Sequence, residues 1–265
     1  MKYPKLDFND FADFEKKNHH NGVLTLQLSN WEEFHNVTQK FKGYTDYFWR
    51  GQRCYCDGWK LKSSFDRKFP NIKNRPKGLE KIFKNFKTKL ADLSNSISIN
   101  LTKDEIWAIG QHYGLPTPLL DWTKCPYIAA YFAFFKAGTK CQTKYRVIYA
   151  LNRAVQRIKG KERFVKFLDL DQTHDKTQNG RLKEQKGRFT RALKGDNIEK
   201  YVKKLVEKRP CYEKKVLLAE ILIPNNARDE CMSCLRSIKI THGTMFPDYS
   251  GAVEICKMDL KIDNF

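Results

Sequence analysis

The stretch IGQHYGLPTPLLDWTKCPYIAAYFAF, Ile109–Phe134, constrains this chain more than any other. It begins as a helix end with Gly114 as its stop, passes two prolines, and narrows to an apolar run ending in Asp121-Trp122-Thr123. Leu119–Trp122 is short and apolar enough for a buried strand. Thr123 stands where it can cap the next helix, and Pro126 falls in that helix's first turn, where a missing N–H is harmless. PYIAAYFAFF is apolar nearly all round, and such a helix has to lie in a core. The segment predicts a buried strand feeding a buried helix, with an acid, an indole and a hydroxyl at their junction. Strand ends of this kind are favoured ligand positions.

The rest of the chain supplies elements to pack around that junction. Asn30 with Glu33 marks a helix start, and Trp31, Phe34, Val37 and Phe41 form its apolar stripe. YTDYFWRGQ reads as an aromatic strand ending near Gly51. Cys54–Pro76 reads as a basic loop. Leu79, Ile82, Phe83, Phe86, Leu90 and Leu93 recur at helical spacing. Thr102 and Glu105 form a capping box for a short helix that Gly114 closes. Tyr145–Asn152 and Lys215–Pro224 are clear strands, and Glu184–Ala192 is a weaker one. Helices are expected at Ile198–Glu207, Ala227–Leu235 and Ser250–Met258. No Pro/Gly/Ser-rich linker divides the chain, so residues 1–265 are read as a single α+β domain. Within it, 1–42 is taken as an N-terminal helical segment, 43–265 as the core, and 159–180 as a mobile insertion.

Charge narrows the partners. Fifty Lys+Arg against thirty Asp+Glu leave a formal net charge of +20. A surplus of this size repels itself in the folded state and is rewarded by polyanions, through counterion release from phosphate backbones. A solubility surface, or a basic protein held by an acidic partner, are the plainer readings. No apolar run is long enough to span a membrane, and MKYPKLDFNDF has no signal-peptide core. The expectation is a cytoplasmic protein whose eight cysteines are reduced. Cys54, Cys56, Cys231 and Cys234 could join at a zinc ion. However, the last pair also suits two small residues buried on a helix, and no metal is expected.

Three groups of residues could carry chemistry. Arg50, at a strand end before Gly51, offers a planar fork for phosphate, carboxylate or ribose oxygens. The plainer role is a structural ion pair. Asp121, Trp122 and Thr123 could hold a hydroxyl, stack on a ring and face a phosphate, with His112 and Tyr113 just upstream. The plainer roles are a paired acid, a buried indole and a cap. Gln185 sits among Arg181, Lys183, Lys186 and Arg188, where an amide could bond a sugar or base edge while the cations take phosphates. A solvated strand edge explains the same residues. Walker, dinucleotide-fingerprint, nucleophile-elbow and zincin motifs are all missing from the sequence.

Together these stretches resemble the bacterial and phage FRG domain. The resemblance rests on YFWRGQ (Tyr47–Gln52), LKSSFDR (Leu61–Arg67), GQHYGLPTPLLDWTKCPYIAAYFAF (Gly110–Phe134), RLKEQKGRFT (Arg181–Thr190) and FPDYSGA (Phe246–Ala252). Trp49 stands where the family name expects Phe, Pro118 replaces the usual Arg, and Cys125 the usual Ser. The FRG domain in turn is similar to the ADP-ribosyltransferase superfamily, which implies split mixed β-sheets flanked by helices, with NAD as substrate. On that resemblance Arg50, Asp121 and Gln185 are the catalytic candidates, with Glu220 the competitor for the third position. Gln52, His112, Tyr113, Trp122 and Thr123 become candidates for binding NAD. Arg181, Lys183, Lys186 and Arg188 become candidates for binding nucleic acid. The resemblance also implies a toxin of a toxin–antitoxin or phage-defence system, with RNA or DNA as acceptor and an antitoxin protein as partner. Modification of protein, bare NAD hydrolysis, and a non-catalytic nucleic-acid-binding module are the alternatives.

Overall fold

β-branched and aromatic residues in short alternating runs build the centre of the molecule. In the computed structural model, residues 20–41, 46–56, 59–93, 101–137, 143–157, 165–168, 183–192, 195, 197–213 and 215–262 are described. Seven strands form one mixed sheet: β1 (Val23–Gln27), β2 (Tyr47–Gln52), β3 (Leu119–Thr123), β4 (Tyr145–Asn152), β5 (Val165–Leu168), β6 (Gly187–Ala192) and β7 (Leu218–Pro224). Their order is β1-β7-β4-β2-β3-β6-β5. β1 runs parallel to β7, and the other pairings are antiparallel.

The period-two alternation of these strands sorts side chains onto two faces. On one face Leu24, Leu26, Trp49, Ile148, Ala150, Ala219 and Ile221 join a core closed by α1 (Glu32–Lys40), α5 (Pro126–Phe134) and α7 (Arg228–Ser237). On the other, Phe48, Val147, Tyr149, Leu151, Leu218 and Leu222 meet Tyr201, Val202 and Leu205 of α6 (Ile198–Lys208). A third cluster joins Phe83 of α3 (Arg75–Leu93) to Trp107 of α4 (Lys103–His112), and to Leu119 and Phe189 of β3 and β6. Two short elements matter later: α2 (Ser64–Lys68) and α8 (His242–Met245), the latter followed by α9 (Tyr249–Ile262).

α5 is buried along most of its length, as its composition requires. Arg146, 1% exposed, is fixed at its end, donating to the carbonyls of Ala133, Lys136 and Ala137. This satisfies carbonyls that a helix end leaves without intrahelical partners. The Thr102–Glu105 capping box is present on α4.

Four expectations change. The N-terminal segment 1–42 is not wholly helical: VLTLQ, an alternating run, is strand β1. The loop over 54–76 contains α2, capped by Ser63, whose hydroxyl accepts the Asp66 N–H. The insertion at 159–180 contains β5, paired with β6; its other residues lie outside those described. The two split sheets are one hydrogen-bonded sheet, but with a seam: β2 and β3 are in register only at Trp49 and Thr123. Cysteine usage differs as well. Cys54 is disulfide-bonded, which removes it as a zinc ligand. Cys231 is a fully buried thiol whose pKa desolvation pushes far up, the environment of a packing residue. No helix among the described residues is long and apolar enough to cross a membrane.

Candidate functional site

The seam makes the site. β2 pairs with β4 along its whole length, and β3 does the same with β6. With one position holding β2 to β3, the strands part beyond it, and a cleft of about 410 Å³ opens there. Arg50, Asp121, Thr123, His112 and Gln185 all line it. Apolar walls come from Ile109 of α4, Phe132 of α5, Phe189 of β6, and Phe246 just after α8.

Arg50 crosses the gap. Its Nη1 donates to the Asp121 carbonyl at 2.8 Å and lies 3.6 Å from the Asp121 carboxylate. The guanidinium thus covers backbone that strand pairing leaves open. Burial pulls its pKa down; Asp121 opposes that shift, and nearby Arg67 adds to it. Its Nε is sealed from solvent and has no hydrogen-bond partner. Buried donors are normally paired, so this one invites an acceptor from a ligand. The Asp121 side chain is 59% exposed. It is steered by Gln111, whose Nε2 donates to Asp121 Oδ1 while its Oε1 accepts the Thr117 hydroxyl. Thr117 is fully buried, and its backbone N–H donates to Ser64 Oγ, linking α2 to the same network.

Other expected residues divide. Thr123 ends β3 and does not cap α5, whose N-cap is Cys125; its Oγ1 accepts the Cys125 N–H and so shapes the entry to the helix. His112 lines the cleft, whereas Tyr113 is 71% exposed, with its ring set edge-on to His112. Trp122 forms part of the cleft wall, but the stacking role expected for it does not fit its packing. The residue is 3% exposed within the α6-side core, and its indole N–H donates to Thr190 at 2.8 Å. Gln52 is buried and donates to the Trp59 carbonyl at 3.1 Å, beside the cleft rather than in it. Gln185 sits in a turn before β6, not in the strand, and donates to the Met245 carbonyl at 2.9 Å.

Glu220 is not in the cleft. It lies on β7, 9% exposed, and accepts from Tyr55 Oη at 2.9 Å and Thr25 Oγ1 at 3.2 Å. Among the expected nucleic-acid contacts, Arg188 is corrected: it is 4% exposed, opposite Trp122 in the β3–β6 ladder, and donates to the Gly187 carbonyl. A side chain so buried cannot reach a phosphate backbone. Lys183 and Lys186 are exposed, and Arg181 lies outside the described residues.

Sequence reading missed Gln111. Its neighbour His112 drew attention as a titratable group, yet Gln111 is the residue that reaches Asp121. Arg67 was missed as well, because LKSSFDR was read as loop. On α2 its charge is felt by Arg50, and with Arg50, Arg53 and Lys60 it lines a second hollow of about 330 Å³.

With this geometry established, comparison with known proteins adds one finding. Residues 45–142 match the model of the FRG domain family. The match spans somewhat more than a third of the chain. It includes Arg50, Arg67, Gln111 and Asp121, and stops well short of Gln185. No curated protein and no solved structure matches the chain.

Proposed function

We propose that this chain is an NAD-dependent ADP-ribosyltransferase acting on nucleic acid, RNA above all, as a toxin in a toxin–antitoxin or phage-defence system. One observation carries the reading. Arg50, Asp121 and Gln185, which come from three separate parts of the sequence, line a single cleft at the seam, and Arg50 presents a buried Nε with no partner. A guanidinium, a carboxylate and an amide around apolar walls suit a ligand with an aromatic ring and a charged, hydroxylated remainder.

In the reaction, the bond from ribose C1′ to the nicotinamide nitrogen breaks and its electron pair leaves with nicotinamide. A nucleobase nitrogen lone pair forms the new bond to C1′. The positive sugar of the transition state needs stabilisation within the cleft. Asp121 is the exposed carboxylate there, so it takes the proton that the acceptor nitrogen loses. Gln185 has no basic form and contributes its amide oxygen to the ribose hydroxyls. Arg50 holds phosphate or ribose oxygen. Support for a nucleic-acid acceptor comes from the charge of +20 and from the exposed Lys183 and Lys186 next to Gln185.

Incubation with labelled NAD and, separately, RNA, DNA or a protein extract tests the reading. Label in RNA is expected. Label in protein alone, or free ADP-ribose alone, would replace the acceptor. Unchanged NAD together with salt-sensitive RNA binding would leave a binding module instead of an enzyme.

A further inference from the structure

Next to the cleft, beyond Gly51, lies the hollow of about 330 Å³. Arg50, Gly51 and Phe132 border both cavities, so the two are neighbours with Arg50 between them. Their chemistry differs. The cleft offers phenyl rings, Ile109 and the Asp121 carboxylate. The hollow offers four cations, Arg50, Arg53, Lys60 and Arg67, and among the described residues no carboxylate lines it.

Four positive groups around so small a space repel one another, and the effect registers in the arrangement: Arg67 helps to depress the pKa of Arg50. Acidic groups nearby soften this in part. Asp121 and Asp66 favour the charged form of Arg67, and Glu199 lies within electrostatic reach of Lys60. None of the three lines the hollow itself. The cations are also set on different supports: β2 for Arg50, the loop after it for Arg53 and Lys60, and α2 for Arg67. Arg53 packs its guanidinium over the Trp59 ring at 6.0 Å, which limits its freedom to turn outward. Converging cations from three supports, with a buried unpartnered Nε at their edge, describe an anion cradle better than a diffuse basic surface.

We propose that this hollow is a phosphate subsite, and that it takes the diphosphate of a nucleotide whose ring lies in the adjoining cleft. The placement of the ring rests on the function proposed above; the affinity of the hollow for phosphate does not. Arg67 and Arg53 supply planar forks, Lys60 a point charge, and Arg50 the contact shared with the ribose side.

Calorimetric titration of the full chain with inorganic pyrophosphate, ADP and adenosine tests this. The variants are Arg53→Ala, Lys60→Ala and Arg67→Gln, with Lys84→Ala on α3 as a general-charge control. Pyrophosphate and ADP are expected to bind, with adenosine at least about tenfold weaker than ADP. Each hollow variant should weaken ADP by about tenfold at an unchanged melting temperature, and the control should not. Equal weakening by the control, or displacement of pyrophosphate by an oligonucleotide lacking terminal phosphate, would overturn the proposal. Failure of the enzyme reading is separable. Pyrophosphate binding lost in the Arg67 variant, in a protein that consumes no NAD, keeps the hollow and removes the reaction. NAD consumption with unaltered KM in all three variants does the reverse.

Discussion

Arg50 and Asp121 meet beside Trp49 and Thr123, the one registered pair between β2 and β3 among the described residues, and the contact is mainly to backbone: 2.8 Å to the Asp121 carbonyl against 3.6 Å to its carboxylate. An ion pair built for stability would saturate the guanidinium. Here Nε is left without a partner, and the acid stays largely in water. The two readings of Arg50 therefore separate by experiment. On the proposed function, Arg50→Ala should lower NAD turnover by roughly a hundredfold, the scale for removing one preorganised donor, and shift the melting temperature little. A large loss of stability with turnover intact would make the residue a structural clamp.

Gly51 and Gly114 answer to different physics. A Cβ on Gly51 would collide with the Ala129 carbonyl of α5, which is rigid helix backbone. Gly114 has open space around it but holds φ at +84°, a conformation that side-chain-bearing residues adopt poorly. Gly51→Ala should cost about 1–3 kcal/mol by overpacking and push α5 from the sheet, reshaping both cavities. Gly114→Ala should cost about 1 kcal/mol with the cleft preserved. Chemical denaturation of both variants, read beside ADP binding, checks the contrast; equal loss of binding in both would refute it.

Much of this arrangement was legible in the chain. The strand-to-helix junction at 119–134, the aromatic strand before Gly51 and the capping box at Thr102 are local signals and formed as read, except that Cys125 and not Thr123 is the N-cap of α5. Of the five motifs that carry the resemblance to the FRG domain, the three within Tyr47–Phe134 fall in the matched residues 45–142, and RLKEQKGRFT and FPDYSGA fall outside them. What stayed hidden depends on pairing across distance. Nothing local in LLDWT says that Asp121 is the exposed residue and Trp122 the one packed into the core, because a one-residue change of register exchanges the faces of a strand. Arg188 reads as a surface cation until the β3–β6 ladder sets it opposite Trp122. Gln111 gains its partner only when α4 lies over the end of β3. The seam itself is a missing set of pairings, and no residue type encodes it.

Trp122 offers a test of that face assignment. With its indole in the core and its N–H on Thr190, Trp122→Phe keeps most of the packing and loses one buried hydrogen bond. A destabilisation of about 1–3 kcal/mol is expected, since Thr190 Oγ1 stays buried. On the proposed function, NAD affinity per folded molecule should be unchanged. A drop in that affinity without a change in stability would return the indole to the ligand.

Glu199 gives the fold a pH dependence of its own. It lies in the first turn of α6, where its carboxylate accepts the Leu61 N–H at 3.0 and 3.2 Å. Burial raises its pKa above the ordinary 4.5, the outcome of desolvation outweighing those backbone bonds. Below 4.5 the carboxyl is protonated in both folded and unfolded chains and imposes no penalty. As pH climbs toward the raised folded value, the unfolded chain releases its proton first. The folded state then binds more protons, and stability falls with rising pH. Glu199→Gln removes this dependence and keeps an acceptor for Leu61. The stability of the variant relative to the parent should therefore improve steadily from acid to neutral pH, as measured by denaturation at several pH values. A difference that stays flat across that range would mean that Glu199 titrates as it does in the unfolded chain, and that the Leu61 contact is strong enough to hold its charge under α6.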